Sequence, residues 1–146
     1  MDQPWLNEPL YETWTHPSGL VCEIARQSNL DHWCGYVQVP EDHPIRVFNL
    51  NPCEWDSDKP TYVDLKVHGG VTWNGTDDLL ACPTKGVYRI GFDCAHAWDI
   101  RPKYTSLFPG HPCDVQWRDI EYVRAETNSL AEQISKIKMV PEGFAL

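Results

Sequence analysis

The chain has 146 residues, 42% of them hydrophobic and 23% charged, and a formal net charge of −9 at pH 7. That length allows one domain with an ordinary buried core, and the composition is that of a globular protein. The acidic balance argues against a general nucleic-acid binder, because phosphate contacts need clustered Lys and Arg; it permits a small anionic ligand held by a few local cations, or docking on a basic partner surface.

Residues 1–18 are rich in Pro, Trp and His and read as a loose lead-in, pinned to the body by Trp5 or Trp14. The opening Met1-Asp2-Gln3-Pro4-Trp5 has no basic start and no apolar signal core, so a cytoplasmic protein is expected. No apolar run approaches the roughly 18 residues of a membrane span. Leu20 to Arg26 is a first strand, with Leu20, Cys22 and Ile24 on one face. After a turn over Gln27–His32, Trp33 to Val39 forms a second strand, closed by Pro40 and paired with the first as a hairpin. Residues 40–60 are crowded with Pro, Asn and Asp and read as an irregular loop, with one short extended piece at Ile45–Phe48.

The central stretch, residues 63–99, organises the rest. Val63, Leu65 and Val67 alternate with Asp64, Lys66 and His68, the period of a half-buried strand. Gly69-Gly70 supplies two positive-φ positions for a tight turn, and Val71-Thr72-Trp73 returns as a short partner. Tyr88, Ile90 and Phe92 then alternate with Arg89, Gly91 and Asp93. In an up-down-up meander the first and third of these strands finish at the same end of the sheet. His68 and Asp93 then meet at one rim, and Cys94, His96 and Asp99 pass it.

Residues 100–113 hold Pro102, Pro109, Gly110 and Pro112, and read as a surface loop or as a lid over the rim. From about Asp114 to Lys138, Ile120, Val123, Leu130, Ile134 and Ile137 recur at helical spacing. Asp114 is the candidate N-cap, Lys136 and Lys138 suit the C-terminal dipole end, and Pro141 and Gly143 end the helix. The fold expected is α+β, a single domain with a mainly antiparallel sheet of about five strands packed against one long C-terminal helix.

The chemistry lies in a few residue types. His68 before two glycines is a general base, a metal ligand or a ligand donor, or simply a surface histidine closing a turn. Asp93, His96 and Asp99 follow a strand as Asp-x-x-His-x-x-Asp. A carboxylate can orient an imidazole for proton transfer, the three side chains can help to hold a divalent ion, or Asp93 can merely cap the next turn. The spacing matches no strict metal signature. Gly69 and Gly70 let a ligand approach the backbone, and Arg89 and Lys66 are counter-charges for a phosphate or carboxylate, or solvated surface charges. Arg118 and Tyr122 are four apart on one helix face, and either decorate the helix or close the site from the helix side as ligand-binding residues. Among seven tryptophans, Trp73 and Trp98 flank the rim, where an aromatic platform suits a planar group. The six cysteines (Cys22, Cys34, Cys53, Cys82, Cys94 and Cys113) include no Cys-x-x-Cys pair. They are expected to be reduced and partly buried rather than a disulfide framework or zinc knuckle; Cys94, followed by Cys34, is the nucleophile candidate.

Trp33-Cys34-Gly35-Tyr36-Val37, His43-Pro44, His68-Gly69-Gly70-Val71-Thr72, the run from Gly91 to Asp99 and Arg118-Asp119-Ile120-Glu121-Tyr122-Val123 together resemble a group of small proteins of bacteriophages and prophages. The resemblance covers about residues 20–135. It departs at Cys94, where relatives carry Thr, which weakens a cysteine mechanism, and at Trp117, where Tyr is common. It implies a phage origin and the site residues, but no reaction. The expectation is an accessory phage-type protein of the host cytoplasm, with counter-defence among its roles. It engages a small polar, nucleotide-like molecule and hydrolyses it with His68 or His96 as base and Asp93 or Asp99 orienting the base or holding a metal. Two other classes fit the same features: a non-catalytic binder that sequesters a host signalling nucleotide, and an acidic inhibitor that docks on a host defence protein. A homodimer is compatible with all three.

Overall fold

The computed structural model describes residues 3–50, 58–59, 62–96, 99–103 and 116–138. Five strands are formed: β1 (Tyr11–Thr15), β2 (Val21–Arg26), β3 (Trp33–Val39), β4 (Trp73–Gly75) and β5 (Tyr88–Asp93). They make one antiparallel sheet in the order β1-β2-β3-β5-β4. One long helix, α1 (Ile120–Ser135), packs across β2 and β3, giving the expected α+β architecture. No helix among the described residues is long and apolar enough to cross a membrane.

Strand alternation sorts side chains onto two faces. Cys22 and Ile24 of β2, Trp33, Val37 and Val39 of β3, and Ile90 and Phe92 of β5 form the core against Val123, Leu130, Ala131 and Ile134 of α1. Gly35 lies in the middle of this face, where a Cβ would stand 2.3 Å from Thr127 Oγ1 and 2.5 Å from the Phe92 ring. Its missing side chain lets the helix close on the sheet.

The opposite face is also buried. Ala25, Cys34, Tyr36 and Cys82 cluster there with Leu79 and Ala81, so the segment after β4 acts as a cover. Under it lies a fully buried ion pair. Arg89 Nε donates to Glu23 Oε1 at 2.7 Å and Nη2 donates to the Thr84 carbonyl at 2.7 Å, while the Tyr11 hydroxyl donates to Glu23 Oε2 at 2.6 Å. Burial pushes the Glu23 carboxyl up, but hydrogen bonds from Arg89, Tyr11 and Gln38 outweigh it and hold the group below its ordinary value. Arg89 Nη1 is buried with no partner among the described residues. Arg89 is therefore not an open-face counter-charge for a ligand; it is committed to the sheet.

Several expectations need correction. Residues 11–15 are not a loose lead-in but the edge strand β1, preceded by a short 3-10 turn at Pro4–Asn7. Trp14 does pin this region, its Nε1 donating to Asn128 Oδ1 on α1 at 2.8 Å. Ile45 lies in a 3-10 turn (Pro44–Val47) rather than an extended piece, because Pro44 starts the turn and His43 Nδ1 accepts from the Ile45 N–H. Residues 63–67 pair with no strand. At Lys66 the backbone is satisfied by α1 instead: its N–H donates to Gln133 Oε1 at 2.7 Å, and Gln133 Nε2 donates back to its carbonyl at 2.8 Å, while the Val63 N–H donates to the Asn49 carbonyl. The alternation still marks burial correctly, since Leu65 is buried and Val63 and Val67 pack on the core.

The helix starts six residues later than Asp114, which lies outside the described residues. Asp119 is the N-cap, with extended backbone (φ −75, ψ 175) and a side chain accepting from the Tyr122 N–H. Glu8 adds a second anchor at this end. Its Oε2 accepts from the Ile120 N–H at 3.0 Å, and its Oε1 from the indoles of Trp33 and Trp117 at 2.9 and 3.1 Å. Pro141, Gly143, Cys53, Cys113 and residues 104–113 of the proposed lid also lie outside the described residues.

Removing one partner from a buried pair leaves the other charge uncompensated. Glu23→Ala is expected to cost about 3–5 kcal/mol in urea unfolding, and Glu23→Leu combined with Arg89→Met to recover most of it. The lowered Glu23 carboxyl stabilises the fold above the ordinary carboxylate value, about 4, and that contribution is lost as pH falls through its folded value. The double variant should therefore show a shallower acid limb in its stability profile than the parent.

Candidate functional site

The end of β5, the loop after it, the turn at residues 67–70 and the first turns of α1 converge at one end of the sheet. Asp99 is their meeting point. Its side chain has no exposed surface, and its Oδ2 accepts from His68 Nε2 at 2.9 Å, from His96 Nδ1 at 3.0 Å and from the His96 backbone N–H at 3.1 Å. Its Oδ1 accepts from Arg118 Nε at 2.9 Å. Burial pushes this carboxyl up; the hydrogen bonds from His68, Arg118 and His96 overcome burial and hold it well below the usual carboxylate range.

Each partner is positioned in turn. His68 is buried, and its Nδ1 lies 2.7 Å from the Tyr122 hydroxyl. Because Nε2–H faces an ionised carboxylate, the neutral ring accepts the Tyr122 proton at Nδ1. The His68 backbone N–H donates to Glu126 Oε1 at 2.8 Å, fixing the turn to α1. Gly69 and Gly70 have φ of +68 and +83, and the Gly70 N–H closes the turn on the Val67 carbonyl at 2.8 Å. The Gly69 Cα lies against the His96 ring, where a Cβ would stand 2.1 Å from Cε1. Gly70 has open space at the corresponding position. His96 and Arg118 each keep 20% of their side-chain surface exposed. Arg118 also donates from Nη1 to Gln116 Oε1 at 3.1 Å and lies over the Tyr122 ring.

The structure thus gathers His68, Gly69, His96, Asp99, Arg118 and Tyr122 into one cluster. The carboxylate found on both imidazoles is Asp99. Asp93 instead accepts from Thr72 Oγ1 at 2.8 Å and from the Ala95 N–H at 3.0 Å, which secures the turn leaving β5. His68 does not lie on an open face with Lys66; Lys66 is exposed and ion-paired with Asp64. Trp98 lies outside the described residues. Glu126 escaped the sequence reading, although it continues the four-residue step from Arg118 to Tyr122. Both nucleophile candidates are unsuited to that role. Burial pushes the Cys34 thiol up to about 12 and raises Cys94 strongly, with the Asp99 charge adding to it.

With Nδ1–H on Asp99, neutral His96 carries its lone pair on Nε2, the arrangement of an imidazole base oriented by a carboxylate. His68 is held between a phenol and the same carboxylate, a Tyr–His–Asp chain along which a proton can be redistributed. The Tyr122 phenol itself is raised above its ordinary value by burial and the Glu126 charge, so it serves as a neutral hydroxyl. A cleft of about 510 Å³ opens at the opposite end of the sheet, beside Gln38, Arg46 and Tyr88. It shares no residue with the cluster and has no comparable set of proton-transfer groups.

Gly69→Ala places a methyl group inside the His96 ring and strains a positive φ. It should cost about 1–3 kcal/mol of stability and shift the His96 ring resonances in an NMR spectrum. Gly70→Ala carries the backbone strain alone, so its His96 resonances should stay in place.

Comparison with protein-family models, with curated proteins and with solved structures finds no match to this chain.

Proposed function

We propose that the Asp99 cluster is an acid–base site that takes a small polar, nucleotide-like molecule and hydrolyses it, in a phage-type accessory protein acting on the host cell. The observation that carries this reading is that two imidazoles and a guanidinium converge on one buried carboxylate, with His96 and Arg118 keeping surface toward solvent. Structural ion pairs are usually satisfied one to one. Here three side chains from three segments surround a single acceptor, and the His96 ring keeps part of its surface exposed.

In the metal-free cluster His96 Nε2 accepts a proton from a water molecule. The water oxygen bonds to the electrophilic phosphorus or carbonyl carbon of the ligand, the bond to the leaving group breaks with its electron pair, and the proton passes to that group. Asp99 holds the imidazole in the required tautomer and stabilises the imidazolium. Arg118 sets a positive charge at the same edge, which favours an anionic ligand. The phage origin and the counter-defence role rest on the sequence resemblance.

Incubation with a panel of nucleotides, followed by chromatography of the products, tests this. Turnover is expected from the parent chain, a loss of about 10²- to 10⁴-fold in His96→Gln, and no change in Lys66→Ala. Stoichiometric capture of a nucleotide that heat releases intact would replace hydrolysis with sequestration. Inhibition of a host protein that weakens with salt and survives His96→Gln would assign the chain to the inhibitor class instead.

A further inference from the structure

We infer that His68, His96 and Asp99 form a binding site for one first-row divalent cation of the zinc type, with a coordination position left for water. The inference deepens the reading above and rests on it only for the choice of site; it does not require turnover.

The argument begins with the donor set. One ligand atom each from His68, His96 and Asp99 lies within 4.8 Å of the other two, and the nitrogens that face the carboxylate are His68 Nε2 and His96 Nδ1. Two imidazoles and one carboxylate are a set that suits zinc and its neighbours rather than magnesium or calcium, which prefer oxygen alone. Tetrahedral bonds of about 2.0–2.2 Å separate ligand atoms by roughly 3.3–3.6 Å. The observed nitrogen-to-carboxylate distances are 2.9 and 3.0 Å, so along those two edges the ligand atoms need to part by only about 0.3–0.7 Å for a cation to replace the bridging protons.

The surroundings match as well. A metal-bound histidine usually directs its other ring nitrogen to a fixed partner. His68 Nδ1 already faces the Tyr122 hydroxyl at 2.7 Å. That hydroxyl donates to Nδ1 while Nε2 holds its proton, and accepts from Nδ1–H once Nε2 is a ligand. Asp99 Oδ1 is held by Arg118, which leaves Oδ2 as a single-oxygen ligand of fixed direction. Glu126, whose carboxylate accepts the His68 N–H, adds negative charge behind the histidine. Three protein ligands leave a fourth position, and the partly exposed His96 marks the side on which water reaches it. In the loaded state His96 is a ligand, and the bound water takes over as the reacting group.

The test uses the full chain, stripped with chelator and titrated with zinc by calorimetry and with cobalt(II) by visible absorption. The expected result is one ion per chain, with the strong d–d bands of four-coordinate cobalt and no thiolate charge-transfer band. Binding should weaken at least 100-fold in His68→Ala and in His96→Gln, and be unchanged in Lys66→Ala. His96→Gln, on a partly exposed ring, serves if His68→Ala does not fold. No binding by the parent, undiminished binding in His96→Gln, or a thiolate band would overturn the inference. Turnover by the stripped protein without zinc binding would sink the cation site and leave the acid–base reading standing; zinc binding without turnover would do the reverse.

Discussion

A carboxylate with no exposed surface stays ionised only where donors replace the water it has lost, and Asp99 has four such hydrogen bonds. They arrive from the turn at His68, from the loop after β5 and from Arg118, two residues before α1. One side chain therefore ties together three segments, two of which, at Asp99 and Gln116, also share an isolated β-bridge. The turn at residues 67–70 in particular has no sheet partner, and its place depends on His68, on Glu126 and on Gln133. The chemistry proposed for the cluster and the integrity of this end of the molecule have the same physical origin.

The other buried charge pair works on the far side of the sheet. Glu23 is on β2 and Arg89 on β5, with β3 between them, so the pair fixes the stagger of two strands that never touch. A slip of one residue would turn either group to the helix side, where Ile24, Val37 and Ile90 leave no polar partner. Glu23 and Arg89 also explain why β2 and β5 are buried on both faces although each carries a charged residue. Arg89 looked like a ligand counter-charge because alternation assigns a face and cannot say whether that face is covered. The cover comes from residues 79–82, which carry no periodic signal.

The sequence was most legible where a hydrophobic pattern and a turn signal agree. Trp33–Val39 and Tyr88–Asp93 match the observed strands, and the Gly69-Gly70 turn has the expected positive φ values. Val63–Val67 shows the limit of that approach: alternation reports which side chains are buried, but a helix can satisfy the backbone between them as well as a strand can. At Tyr11–Thr15 the β-forming residues are present, but the prolines on either side break the pattern that marks a strand. The site was legible in its residue types and not in its pairing. His68, His96 and Asp99 were all in view, yet separations of 31 and 3 positions along the chain give no means of telling Asp99 from Asp93 as the partner.

The contacts that seat α1 reach far back along the chain. Glu8 touches the Ile120 amide, Glu12 binds Arg124, and Trp14 binds Asn128, spans of 112 to 114 residues. Such long separations mean that the groups receiving the helix emerge first and wait for more than a hundred residues before it can dock. Until then the apolar side of β2 and β3 is uncovered, and the partly made chain exposes surface through which it can aggregate.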